Sequence, residues 1–212
     1  KGRLMLPQVQ TIRDILDHNA AAMVVKENQV ASALSRLLTP PALVITDSQE
    51  FKSVAAVVPK DVPLTSFSII MARYKGDLLA FARGALAIAD LKPGDSVLIA
   101  ESCSHHPVGD DIGRVKIPRW LQQYTGGALE ITHVAGHDFP DDLEHFSLIV
   151  QCGSCMHTRR QILERIASAQ NRGVPITNYG MAIAFCLGIF ERALAPFPQA
   201  TQFLKEQKFK TR

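Results

Sequence analysis

The residue types best suited to chemistry are three cysteines and a histidine. Cys152 and Cys155 sit in Gln151-Cys152-Gly153-Ser154-Cys155, and Cys103 and His105 in Cys103-Ser104-His105-His106. Each group follows an apolar run with the composition of a buried strand, Ser147-Leu148-Ile149-Val150 before the pair and Val97-Leu98-Ile99-Ala100 before the third thiol. Parallel strands end at one edge of their sheet, where ligands collect, so two loops distant in sequence can meet there. Three thiols with one or two imidazoles are soft ligands that suit an iron-sulfur cluster or a cysteine-rich zinc site. Three thiolates on a cubane cluster leave one iron for an exchangeable ligand. The C-x-x-C pair alone fits equally a thiol-disulfide pair or plain buried cysteines. We expect it at the first turn of a helix running from Met156 to Ala169, where free N–H groups and the helix dipole favour thiolate over thiol.

The C-x-H spacing is tight and chelating, which makes His105 the candidate fourth ligand and leaves His106 to point away. His133, His137, His145 and His157 read as surface residues, although His157 is near enough to Cys155 to line a pocket there. Cys186 lies in the apolar run Met181 to Phe190 and behaves as a small hydrophobe. Asp110, Asp111, Arg114 and Lys116 form either a solvated loop or a frame for an anion. Asn178-Tyr179-Gly180 is either a turn or a wall of the site.

Positioning these residues requires strands that alternate with helices, and the chain supplies them. Val9, Ile12, Ile15 and Leu16 recur at helical spacing, Ala21 to Val25 reads as a short buried strand, and Val30, Leu34, Leu37 and Leu38 mark another helix. Ala42 to Thr46 and Val62 to Thr65 read as strands, with helices carrying Phe51 and Val54, then Phe67 to Tyr74, then Leu78 to Ala89. A helix bearing Trp120 and Leu121 starts at Pro118, Leu129 to Val134 alternates like a strand near an edge, and Val174 to Thr177 supplies a last strand. A final helix is expected from Met181 to Leu194, apolar almost all round. The expected fold class is α/β: two small parallel-sheet units with helices packed on the sheets.

Composition narrows the function. With 212 residues, 47% hydrophobic and 20% charged, the chain has material for one large domain or two small ones. The formal net charge of +3 is dispersed except for Lys205, Lys208, Lys210 and Arg212, which argues against nucleic acid as a partner. The longest apolar run is about half of the roughly 20 residues a membrane span needs, and no signal peptide is recognisable, so a soluble, cytoplasmic protein is expected. Four cysteines beside histidines suit a reducing compartment and metal rather than a disulfide scaffold. The phosphate loop G-x-x-x-x-G-K-[ST], the G-x-G-x-x-G fingerprint and the G-x-S-x-G elbow are absent, which leaves no nucleotide site within these residues. The start at Lys1 suggests a piece of something longer.

Several longer strings carry a family resemblance. They are Arg3 to Asp14, Val44 to Gln49, Ala72 to Leu78, Cys103 to Pro107, Asp110 to Trp120, the Cys152/Cys155 pair and Val174 to Gly180. Over nearly its whole length the chain resembles the HydF family of maturation factors for iron-iron (FeFe) hydrogenases, without that family's N-terminal GTPase domain. The resemblance implies a dimerisation domain over residues 1–78 and a cluster-binding domain over residues 79–212. It also implies that Cys103, Cys152 and Cys155 hold a 4Fe-4S cluster with an exchangeable position. The implied role is a homodimeric, non-catalytic carrier of a dinuclear iron precursor to apo FeFe hydrogenase, working with the radical-SAM maturases of the pathway. One departure concerns the pattern C-x-H, a long gap, then H-C-x-x-C: Gln151 stands where the second histidine belongs. A glutamine amide is a poor iron ligand, so either His105 closes the site or the position is left to water or an incoming group. Two other readings remain, a structural zinc site in a protein-interaction module and a C-x-x-C oxidoreductase that needs no Cys103.

Overall fold

The structure is a computed structural model, and it describes residues 4–102, 111–136 and 138–210. The first unit comprises α1 (Leu6–Asp17), α2 (Val30–Ser35), β1 (Val44–Thr46), α3 (Phe51–Val57), β2 (Leu64–Ser66) and α4 (Phe67–Lys75). Its two strands pair in parallel, Val44 opposite Leu64 and Thr46 opposite Ser66. The second unit continues with α5 (Leu78–Leu86), β3 (Ser96–Ala100), α6 (Ile117–Thr125), β4 (Glu130–Val134), β5 (Leu148–Gln151) and α7 (Arg159–Asn171). It ends with β6 (Ile176–Asn178), α8 (Tyr179–Cys186), α9 (Phe190–Leu194) and α10 (Pro198–Lys210). The class is therefore α/β, with two small all-parallel sheets and helices around them, as the alternating pattern predicts.

Strand order in the larger sheet is β4-β3-β5-β6. The two inner strands, β3 and β5, are the apolar runs that precede the cysteines. Val97, Leu98, Ile99 and Ala100 of one and Leu148, Ile149 and Val150 of the other are wholly buried, as strands covered on both faces must be. β4 lies at the edge and alternates. From β3 the chain goes on to β4 on one side, and from β5 it goes on to β6 on the other. The order reverses between β3 and β5, and such a switch point opens a crevice at the carboxyl ends of parallel strands.

A single apolar core runs through both units, from Phe51 and Leu64 in the first to Ile149, Met181 and Phe203 in the second. Close approach fixes part of it: a Cβ at Gly84 on α5 would lie 2.0 Å from the carbonyl oxygen of Ile176 on β6. Thr177 Oγ1 donates to the carbonyl of Phe81 across the same contact, at 2.9 Å.

Three elements differ from the sequence expectation. Residues 21–25 form no strand, and Met23, Val24 and Val25 are exposed, because β1 and β2 pair only with each other and offer this segment no partner. The helix expected from Met181 to Leu194 is two helices, since Gly188 at φ 71° ends α8 and takes the chain into α9. The helix after the cysteine pair starts late. Thr158 caps it, accepting from the N–H of Gln161, so Cys155 lies in the preceding turn and not in the first turn of α7.

Candidate metal centre

The turn that carries Cys152 and Cys155 leaves β5 at the crevice between β3 and β5. Ala100 and Gln151 are register partners at the two strand ends, and the N–H of Cys152 continues the ladder to the carbonyl of Ala100 at 2.9 Å. Ser102, just beyond β3, donates its N–H to Cys152 Sγ at 3.0 Å, and its hydroxyl lies 3.0 Å from the same sulfur. Ser154 donates a second backbone N–H at 3.4 Å. To bring that N–H round, Ser154 takes φ 57°, a left-handed conformation that costs a non-glycine residue about 1–3 kcal/mol. Its hydroxyl donates to the carbonyl of Cys152 at 3.0 Å and helps to hold the turn. Backbone N–H groups aimed at a sulfur orient it and are the outer-shell support that a metal-bound thiolate takes.

Cys155 is a different case. Its pKa is raised by burial first and by the neighbouring Cys152 second, with the Lys75 ammonium opposing. The expectation that a helix dipole would hold this thiol as thiolate is thus overturned, because α7 begins only at Arg159 and desolvation outweighs the nearby positive charge. A thiol of this kind is deprotonated by a metal rather than in advance of it.

Gln151 is wholly buried and its amide is fully committed. Nε2 donates to the carbonyl of Ala100 at 3.1 Å and to Ser102 Oγ at 3.4 Å, while Oε1 accepts from Arg165 Nη1 at 2.9 Å. Arg165 Nη2 donates to the carbonyl of Gly136 at 2.7 Å, and its guanidinium stacks 4.8 Å from the Phe139 ring. Burial lowers the pKa of Arg165, and the charge of Cys152 works against that shift. Gln151 therefore acts as a strut between the two strand ends. Sequence reading had considered it only as a poor ligand and missed Arg165 altogether, which has no local signal.

On the other side of the crevice, Tyr179 donates to Glu101 Oε1 at 3.3 Å. Burial raises the Glu101 carboxyl, with Asp111 adding to the rise, and it pushes Tyr179 well above the ordinary phenol range. Gly113 fits between these two side chains, where a Cβ would lie 2.1 Å from the Tyr179 oxygen. A cavity of about 150 Å³ borders Gly153 of the thiol turn and is walled by Ser48, Phe67, Ser68, Tyr179 and Ile183, so Tyr179 does wall a space at this edge. Gly153 lines that cavity, and the two flanking thiols do not.

Of the predicted ligands, Cys152 and Cys155 share one turn, both partly exposed. Cys103, His105, His106, Asp110 and His137 lie outside the described residues. Among the described residues no three Cys, His, Asp or Glu side chains are grouped as metal ligands. His157 is buried, which corrects the surface position expected of it, and His133 Nε2 lies 3.1 Å from the carbonyl of Gly113. Cys186 is pushed up to about 12 by burial, as its apolar setting foretold.

No helix among the described residues is long and apolar enough to cross a membrane. A comparison with curated proteins finds no match. Two family models do match: residues 79–196 fit the hydrogen maturase F tetramerization domain, and residues 1–76 fit the hydrogen maturase F dimerization domain. With both of these domains in one chain, the chain belongs to the hydrogen maturase F family and serves hydrogenase maturation through self-associating domains.

Proposed function

We propose that the chain is a scaffold that holds a 4Fe-4S cluster at the β3/β5 switch point and hands a dinuclear iron precursor to apo FeFe hydrogenase. The observation that carries this reading is the bond from the Ser102 N–H to Cys152 Sγ, which ties the thiol turn to the strand end leading into Cys103. The donor set fits the group: two thiols on one turn, N–H groups aimed at a sulfur, and a third thiol at the next sequence position after Ser102. When bound, the cluster supplies an iron with an open position. The chain's own residues orient the thiols, half-bury Cys155 and keep Gln151 out of the ligand set.

His105 is the proposed fourth donor, with water or an incoming group as the other occupant of that position. Residues 1–78 serve as the dimerisation domain and residues 79–212 as the cluster-binding domain, with the radical-SAM maturases and the hydrogenase as partners in the cytoplasm. The exposed apolar residues of the first unit, Leu6, Val9 and Leu16 on α1 with Met23 and Val24 beyond it, suit burial against a second copy.

Metal analysis after anaerobic purification tests the reading. The scaffold reading expects a brown protein with iron and acid-labile sulfide after reconstitution. Tightly held zinc with no visible absorption would replace it with the structural-zinc module, and a reversible Cys152/Cys155 disulfide indifferent to Cys103 would replace it with the oxidoreductase.

A further inference from the structure

We infer that Lys75 is a positioning residue for the thiol turn and that, together with Arg159, it fastens that turn to the joint between the two family domains. Lys75 is the last residue of α4. Its ammonium has three donors, and they meet the carbonyl oxygens of Ser154, Cys155 and His157 at 3.2, 2.9 and 2.8 Å. Among the described residues no carboxylate pairs with Lys75 within ion-pair distance. A cation that converges on three carbonyls of one loop fixes the backbone of the turn rather than neutralising an acid.

Arg159 makes the return connection. It opens α7, directly after the thiol turn, and its Nη1 donates to the carbonyls of Tyr74 at 2.8 Å and Gly76 at 3.0 Å. The Tyr74 oxygen is among the carbonyls that a helix end leaves without an intrahelical donor, and Gly76 is the cap residue that follows. The turn is thus held before and after by cations that cross between residues 73–76 and residues 154–159. The joint itself is stiff. A Cβ at Gly76 would lie 2.5 Å from the Phe81 ring, and Asp77 caps α5 by accepting from the N–H of Ala80 at 2.9 Å. The domain matches end and begin at residues 76 and 79, so Lys75 belongs to the first and grips the second. A rotation of the dimerization domain is thereby felt at the thiols. The functional meaning of the clasp rests on the metal-centre reading, whereas its existence does not.

The test uses the intact chain in two states. In the reduced, metal-free protein, hydrogen exchange is followed at amides 153–158 in wild type, Lys75→Met, Lys75→Arg and Arg159→Met. Lys75→Met is expected to speed exchange there about tenfold, about 1.4 kcal/mol of opening free energy, with Lys75→Arg in between. Arg159→Met is expected to loosen residues 72–77 and 153–158 together. Exchange within about twofold of wild type in both Lys75→Met and Arg159→Met overturns the clasp. If Lys75→Met melts below the assay temperature, the Lys75→Arg and Arg159→Met comparison decides by the same criterion.

In the reconstituted protein, the reduction midpoint is expected to move to more negative potential in Lys75→Met and to return in Lys75→Arg, because a nearby cation favours the reduced state. A midpoint that ignores the charge overturns the positioning role at the thiols. Wild-type protein that takes up no iron and sulfide would sink the metal reading, while the exchange comparison would still decide the clasp.

Discussion

Replacing Gln151 by leucine separates a strut from a ligand. The side chain is wholly buried, and leucine keeps most of its volume while removing both polar ends. The largest loss is the 2.9 Å charge-assisted bond from Arg165, of a kind worth about 1.5–3 kcal/mol. The neutral bond to the Ala100 carbonyl costs less, about 0.5–1 kcal/mol, because that oxygen keeps the Cys152 N–H at 2.9 Å. Arg165 retains the Gly136 carbonyl and the Phe139 ring, so its charge is not wholly orphaned. The expected destabilisation is about 2–4 kcal/mol, which for a domain of this size is a fall in Tm of roughly 5–15 °C.

Urea unfolding of the reduced, metal-free protein would show it as a lower midpoint with an unchanged slope. Iron content measured well below the melting temperature should equal that of wild type, since no ligand has been removed. A loss under about 0.5 kcal/mol would mean that the Gln151–Arg165 bond is solvated or absent. A folded variant unable to hold iron would mean that the amide is a ligand after all.

Two further predictions test the packing around the site. Cys186, pushed up to about 12, should react with iodoacetamide at pH 8 about a thousandfold more slowly than an ordinary thiol with a pKa near 8.5. Because its folded pKa is raised, its stabilising contribution is complete below about pH 8.5 and is lost as pH rises toward about 12; labelling as fast as that of a free thiol at pH 8 would refute the burial. Gly84→Ala drives a Cβ into the Ile176 carbonyl, a backbone atom that cannot step aside, and should cost about 3 kcal/mol or more in thermal unfolding. A change under about 1 kcal/mol would refute the α5–β6 approach.

Much of the architecture is legible in the sequence because the second unit's strands are coherent apolar runs separated by turn-forming residues. β3, β5 and the edge position of β4 follow from burial patterns that a chain displays locally. The expected strand at residues 21–25 fails for the opposite reason: its composition asks for a partner strand, and the two-stranded sheet of the described chain has none to give. The break at Gly188 was obscured by the uniform apolarity of Met181 to Leu194, in which no periodicity marks an end. At the site, spacing singles out Cys152 and Cys155, but the supports come from afar. Lys75 lies 79 to 82 residues from the carbonyls it holds, and Arg165 reaches Gln151 only because α7 folds back over β5. The pKa of Cys155 was expected in the wrong direction because desolvation depends on the whole fold.

The central claim is that Cys103, Cys152 and Cys155 grip one cluster at the switch point. The direct measurement is iron and sulfide content, with the electron paramagnetic resonance signal after reduction, for wild type and the three single cysteine-to-serine variants reconstituted anaerobically. The account predicts about four irons and about four sulfides per wild-type chain with a reduced-cluster signal, and a severe loss in each variant, Cys103→Ser included. Full loading of Cys103→Ser, or a colourless wild type, would contradict it.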